Sequence, residues 1–350
     1  MKKRLISMLA GLSLIAVTLG TAGAYGTTEA KADGMVPSVY TGEMVSAEQA
    51  SQRPIAVMMP TDKAAQPSYG ISHAKVLYEI MEEGNISRQM AIIDDWQDLS
   101  RIGNIRSCRE YYIHIATEWD PILIHFGGVV YMKNRITASD IDNLSGTYEY
   151  GTGGEAPGSS KFFRTTDRTS PHNAYISAEG IKNAAKELKY SLEVRPEYYN
   201  ASHFTFSALG NSLAQYAEAE TANTIDLSNV FSYTKSKLVY DEAKGQYLKY
   251  IHGSVQKDGD NGESLYFSNV VIQITDWKTL DKKGYLSFDV VGAGDGYYCT
   301  QGKVIPIKWQ KSDDHTPTKY YDEYGQEIEF NTGKTYIAIA QSGKEPKFTE

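Results

Sequence analysis

Only two cysteines, Cys108 and Cys299, stand in this chain of 350 residues, so a disulfide framework is excluded. No paired-cysteine or H-E-x-x-H spacing occurs, and neither a metal nor a cofactor is expected. Gly-x-Ser-x-Gly is missing too, which removes the usual hydrolase elbow. Basic residues do not gather: both charge signs are interspersed and the formal net charge is -8. Nucleic-acid binding needs a concentrated basic face, so that class is set aside. The one long apolar run, Leu5 to Leu19, is short for a membrane span.

That run follows Met1-Lys2-Lys3-Arg4 and reads as the core of a secretory signal peptide. Two small-x-small sites follow, Ala22-Gly23-Ala24 and Ala30-Lys31-Ala32, and the second is preferred because polar Asp33-Gly34 comes next. An uncleaved anchor is the competing reading. A signal peptide over 1–32 and a linker outside the fold over 33–52 are therefore expected. No cysteine stands at either junction, so lipid attachment there is not available. The mature protein is expected to be extracytoplasmic, secreted or associated with the cell envelope, with no transmembrane span after cleavage.

The chain is long enough for two domains with real cores, and its 26 tyrosines favour strands and half-polar surfaces. Pattern divides it into 53–222 and 223–345. In the first, Ile55–Met59, Val76–Met81, Gln89–Ile93 and Ile122–Phe126 read as strands. Gly84–Ser87 reads as a hairpin connection, Val129–Ile136 as helical, and Ala178–Leu188 as a helix capped by Ser177. In the second, alternation at Val270–Ile274, Leu286–Val290, Ile305–Trp309 and Tyr336–Ala340 predicts antiparallel strands with one buried face. The fold class is α+β: a mixed α/β N-terminal domain and a mainly antiparallel β C-terminal domain.

Two glycine-rich stretches invite stronger readings. Gly292-Ala293-Gly294-Asp295-Gly296 lies between strands with no helix following, fails the dinucleotide fingerprint, and reads as a turn. Asp258 to Glu263 lacks the offsets of a calcium loop and reads as a hairpin turn.

Chemistry gathers in two places. Ser107 and Glu110 have capping-box spacing, so a helix is expected from Ser107 to about Trp119. Arg106 and Arg109 flank that start, where the helix dipole disfavours cations by roughly 0.3–1 kcal/mol each. They need a negative partner. It is either an anionic ligand or an internal carboxylate among Glu79, Glu82, Glu83, Asp94 and Asp95. Cys108 between the arginines has surroundings that lower a thiol pKa, yet a small buried residue is the simpler reading. His125 ends a strand beside Gly127-Gly128, where backbone approaches whatever lies at the strand's end.

The second place is Phe162 to Asn173, directly after the Gly151–Ser160 stretch, which reads as a loop or lid. Arg164, Arg168, His172 and Asn173 in one irregular segment are expensive to hold without partners. The reading that joins both places is a binding site for an anionic envelope ligand, formed by Arg106, Ser107, Arg109, His125, Arg164, Arg168, His172 and Asn173. One alternative is an enzyme, a hydrolase or transferase, acting on a cell-wall polymer with His125 or His172 as general base. A serine nucleophile at Ser107 would compete with its capping role. The other alternative is a protein-docking envelope factor in which the arginines serve internal ion pairs.

These same residues carry a resemblance. Ile102-Gly103-x-x-Arg106-Ser107-x-Arg109, His125-Phe126-Gly127-Gly128, Phe163-Arg164 and Pro171-His172-Asn173 occur in that order. With Arg53-Pro54-Ile55-Ala56-Val57-Met58 and Tyr78-Glu79, they resemble the YerB-like family, bacterial and mostly Gram-positive proteins classed as lipoproteins. From Asn269-Val270-Val271-Ile272-Gln273 through Gly292–Tyr298 and Lys303–Trp309 to Gly333-Lys334-Thr335, the second half is similar to that family's C-terminal domain. The resemblance implies an extracytoplasmic two-domain protein and carries no activity. Two departures stand out: the lipobox cysteine is missing, and Cys108 occupies a place where the family more usually has a small non-thiol residue. The second counts against an essential thiol.

Overall fold

The computed structural model describes residues 34–147 and 156–350; the signal peptide and 151–155 of the glycine-rich loop lie outside them. The segment expected to be a linker is folded. Met35–Pro37 (β1) and Met44–Ser46 (β2) pair antiparallel, and Ala47–Ser51 (α1) follows, capped by Ser46. Tyr40 between the strands is buried and stacks on Trp119 with ring centroids 5.5 Å apart. One aromatic anchor thus secures a stretch whose remaining residues are too small and polar to show periodicity.

Next come Ile55–Pro60 (β3), Val76–Met81 (β4), Ser87–Ile93 (β5), Ile102–Gly103 (β6), Glu110–Thr117 (α2), Ile122–His125 (β7), Lys133–Ile136 (α3) and Asn143–Ser145 (β8). Phe163–Arg164 (β9) and Ala174–Ile176 (β10) precede Ala178–Leu188 (α4). Ser177 caps α4 by accepting from Gly180 N at 3.1 Å, as its sequence predicts. Ile181, Ala184 and Ala185 form its buried stripe.

Beyond α4 every regular element is a strand: Thr205–Phe206 (β11), Glu220–Thr221 (β12), Thr224–Asp226 (β13), Lys237–Asp241 (β14), Gln246–Ile251 (β15), Ser254–Val255 (β16), Tyr266–Phe267 (β17) and Asn269–Thr275 (β18). Trp277–Thr279 (β19), Leu286–Phe288 (β20), Gly292–Thr300 (β21), Lys303–Lys311 (β22), Lys319–Tyr321 (β23), Glu329–Phe330 (β24), Thr335–Gln341 (β25) and Lys347–Thr349 (β26) complete it. The described residues are mostly β.

One mixed sheet runs through the molecule in the order β12-β22-β21-β18-β25-β4-β5-β3-β7-β8, with β23 beside β22. β25 pairs parallel with both β18 and β4, so a strand from the end of the chain joins one that begins at Val76. The expectation of antiparallel C-terminal strands with one buried face fits Ile305–Trp309, which alternates within β22, and is corrected at Tyr336–Ala340, since β25 is parallel to both neighbours. Every residue of β25 is buried, as is every residue of β3, β4 and β5. A central strand is covered on both faces, and its apolar run is continuous for that reason.

Gly292–Gly296 is also not a turn; it opens β21 and pairs along β22. Its glycines serve close packing. A Cβ on Gly294 would stand 2.8 Å from the carbonyl oxygen of Ile274, and one on Gly296 would collide with that of Ile272. Asp258, by contrast, does lie in a turn, and its carboxylate accepts from Gly70 N and Ser72 N at 3.2 and 2.7 Å.

Candidate functional site

β3, β4, β7, β8, β18 and β25 all run the same way, so their carboxyl ends share one edge of the sheet. That edge is where loops of an open α/β sheet converge on ligands. The stretch from Ile102 to Cys108 crosses it in extended form. Arg106 N donates to Met58 O, Phe126 N to Arg106 O and Cys108 N to Gly127 O, at 2.9, 2.9 and 3.0 Å. The backbone is thereby committed to the strand ends, and the helix begins later than predicted, at Glu110 with Arg109 as its N-cap. Ser107 is not the cap; its Oγ donates to Phe126 O at 3.1 Å. The approach expected at Gly127-Gly128 is real, and what approaches is Cys108, whose carbonyl oxygen would lie 3.1 Å from a Cβ on Gly128.

The two arginines at this start differ. Arg109 is buried and pairs with both Glu82 and Glu83. Arg88 also pairs with Glu82, at 2.7 Å. Burial presses the Glu83 carboxyl upward, but the hydrogen bond and charge of Arg109 outweigh it and the pKa falls below the ordinary value. Arg106 is only half-buried, has no ion pair, and leaves its buried Nε without a hydrogen-bond partner among the described residues. Burial, then the neighbouring Arg88 guanidinium, lower its pKa. It is a cation short of counter-charge.

The second cluster meets Arg106. Asn104 Nδ2 donates to the carbonyls of His172 and Ala65 at 2.9 and 3.0 Å, and Ile105 N donates to Ala174 O at 2.8 Å. Arg168 holds Ala65 O and Pro67 O at 2.5 and 2.7 Å. Arg164 donates to Asn173 Oδ1 at 2.7 Å and lies over the Phe126 ring, 4.7 Å from its centre. Burial lowers the His172 pKa; the charges of Arg106 and Arg168 add to that and Asp62 opposes it. Its Nδ1 is buried without a hydrogen-bond partner among the described residues, as are Asp62 Oδ2 and Gln66 Oε1. Asp62, Gln66 and Asn104 escape sequence reading because loop polarity alone carries no periodicity, and Arg88 because it stands among the polar residues Ser87-Arg88-Gln89 that open β5.

His125 does not join them. It is fully buried, with Nδ1 2.8 Å from Gly127 O and Nε2 3.2 Å from Asn143 Oδ1, so it holds the turn after β7. Cys108 is a free thiol, and burial pushes its pKa up to about 12, which makes it inert at neutral pH. Cys299 is likewise free and buried. Among the described residues no group of three or more His, Cys, Asp or Glu side chains is placed to hold a metal ion, and no helix is long and apolar enough to cross a membrane.

Two family models cover most of the chain. Residues 40–191 match "Protein of unknown function (DUF3048) N-terminal domain" and 218–337 match its C-terminal counterpart. The chain belongs to the YerB-like family. A curated relative of the family, "Putative lipoprotein YerB" of Bacillus subtilis (strain 168), is 27% identical over 300 residues, covering 85% of this chain and 84% of its own. The crystal structure of the YerB protein from Bacillus subtilis superposes with a TM-score of 0.75 at 23% identity, covering 90% of this chain and all of that one. At that identity the likeness establishes the YerB-like fold. The strand ends that carry Arg106 lie within the first family match, while β18 and the start of β25, on the far side of β4 and β5 in the same sheet, lie within the second.

Proposed function

We propose that this protein is exported to the cell envelope and binds a phosphate-bearing ligand there through Arg106, Arg164, Arg168 and His172. The observation that carries this reading is the charge balance at the strand ends. Among the described residues Arg106 has no ion pair, and Arg164 and Arg168 meet only neutral oxygens; of the two carboxylates that act on Arg106, Glu82 is already paired with Arg88 and Arg109, which leaves Asp62 against these three guanidinium groups. An excess of two positive charges suits a phosphate dianion better than a lone carboxylate, and guanidinium groups match phosphate in geometry. In a chain of formal charge -8, such an island also attracts anions that the surrounding surface repels. The basic, then apolar N-terminus and the lipoprotein name of the Bacillus relative support the location. Arg109 takes the structural role, since Glu82 and Glu83 already neutralise it.

Thermal unfolding with inorganic phosphate and glycerol phosphate tests the reading. A ligand bound only by the folded state stabilises by about 2.7 kcal/mol at 100 times its dissociation constant. The midpoint should rise in the wild type and stay put in an Arg106→Ala, Arg168→Ala variant that remains folded. An unmoved wild-type midpoint, or an equal rise in the variant, overturns the proposal.

A further inference from the structure

We infer that a second cleft, walled by α2 and the β19–β20 hairpin, binds a primary ammonium on an aliphatic stem, the chemistry of a lysine side chain flanked by apolar residues. The cleft has a volume of about 310 Å³, the lower end of the range for ligand sites. Val129, Leu286, Phe288 and Val290 supply apolar walls, and the Phe288 ring packs edge-on to Tyr111 with centroids 4.9 Å apart. Its sides are tied together without a ligand: Tyr131 donates to Asp281 at 3.0 Å and its ring meets that of Tyr285 edge-on. Preformed walls lower the ordering cost of binding.

Charge selects the occupant. Two of the charged groups lining this cleft are already answered: Arg109 by Glu82 and Glu83, and Asp314 by Arg135 at 2.5 Å and His114 at 2.8 Å. Glu110 and Asp289 are not. Both line the cleft, and neither carboxylate has an ion pair or hydrogen bond among the described residues. Two uncompensated negative charges over an apolar floor attract a cation more strongly than the same charges in open water. A lysine side chain suits both features, since its methylene stem covers apolar surface while its ammonium reaches the carboxylates. Val291 on the wall and Val130 beside it stand 36% and 60% exposed, and they give apolar neighbours of that lysine something to cover. This site is independent of the anion cluster, because Arg109, which lines the cleft and whose charge also acts on Arg106, is neutralised internally.

The full chain is titrated calorimetrically with acetyl-Leu-Lys-Leu-amide and with the same peptide carrying norleucine, which keeps the stem and removes the charge. Saturable binding of the lysine peptide is expected, with the norleucine peptide about tenfold weaker. In Glu110→Gln, Asp289→Asn the preference should vanish while the thermal midpoint holds, since neither carboxylate has an internal partner to lose. Equal binding of the two peptides, no saturable binding, or an undiminished lysine preference in the variant each overturns the inference.

Discussion

Charged side chains lie on both sides of the central sheet's story, and the contrast between Glu79 and Arg106 separates architecture from candidate chemistry. Glu79 is fully buried, yet its oxygens accept from Ser87, Ser236, Thr234, Gln89 and Tyr336, and Lys249 stands 3.3 Å away, equally buried. Burial alone would raise its pKa; Lys249 and the hydrogen bonds lower it. Glu118 repeats the arrangement with Tyr78, Thr318 and Lys311. In both nests one partner set comes from the first family model and the other from the second. A buried charge survives only when every lone pair is used. Around Arg106 the accounting is left open, and an open account at the carboxyl ends of strands is what a ligand can close.

Breaking a nest should produce the largest effect. Lys249→Ala leaves Glu79 buried with its strongest partner gone, and unfolding in urea should show a loss of roughly 3–5 kcal/mol. Because Glu79 joins both family segments, one transition should shift as a whole. Two separate transitions, with only one moved, would break the comparison by showing that the segments are stabilised apart.

A smaller effect sharpens it. His203 stacks on Trp119 and bonds Glu118 O at 2.6 Å, and burial lowers its pKa to about 4. Its folded pKa is depressed, so the unfolded chain takes up the proton first as pH falls. Stability is therefore intact above about pH 6.5 and declines by about 1.4 kcal/mol per pH unit toward pH 4. His203→Phe should flatten that stretch of a urea-midpoint-against-pH curve by one proton; an unchanged slope would show that other groups set it.

The smallest changes belong to the open cluster. Arg106→Ala should alter stability by no more than about 1 kcal/mol, whereas Arg109→Ala, which strips Glu83 of its ion pair and leaves buried Glu82 with Arg88 alone, should cost several times as much by the same assay. Affinity for the phosphate dianion, corrected for the ligand's own second ionisation at about pH 6–7, should also strengthen as pH falls from 8 to 6. His172 is neutral when its pKa is depressed, and a bound anion raises that pKa, so binding takes up a proton. His172→Ala should remove this dependence, which calorimetry in buffers of different ionisation enthalpy reads directly.

Local pattern made much of the framework legible. Ile55–Met59 and Val76–Met81 read as strands from their own side chains, and Ser177 identified the start of α4, because propensity and capping act within a few residues. Where Ser107 failed as a cap, the reason was distant: Met58 and Gly127 claim the backbone around it. The linker reading of 33–52 failed for a like reason, since Tyr40, which anchors it, has its partner Trp119 79 positions away. Of the candidate site, Arg106, Arg164, Arg168, His172 and Asn173 were legible as unbalanced polar residues. That Arg109 belongs to Glu82 and Glu83, and His125 to Asn143, was not.

The sequence by itself therefore determined the residue types, the strand alternation and the excess of arginine in two short stretches, since these are properties of neighbours along the chain. Only the tertiary structure decided which arginine is neutralised and which is left open. It also decided that β25 returns to complete the sheet begun at β4. Pairing across hundreds of residues depends on which buried groups satisfy one another, and no local window contains both partners.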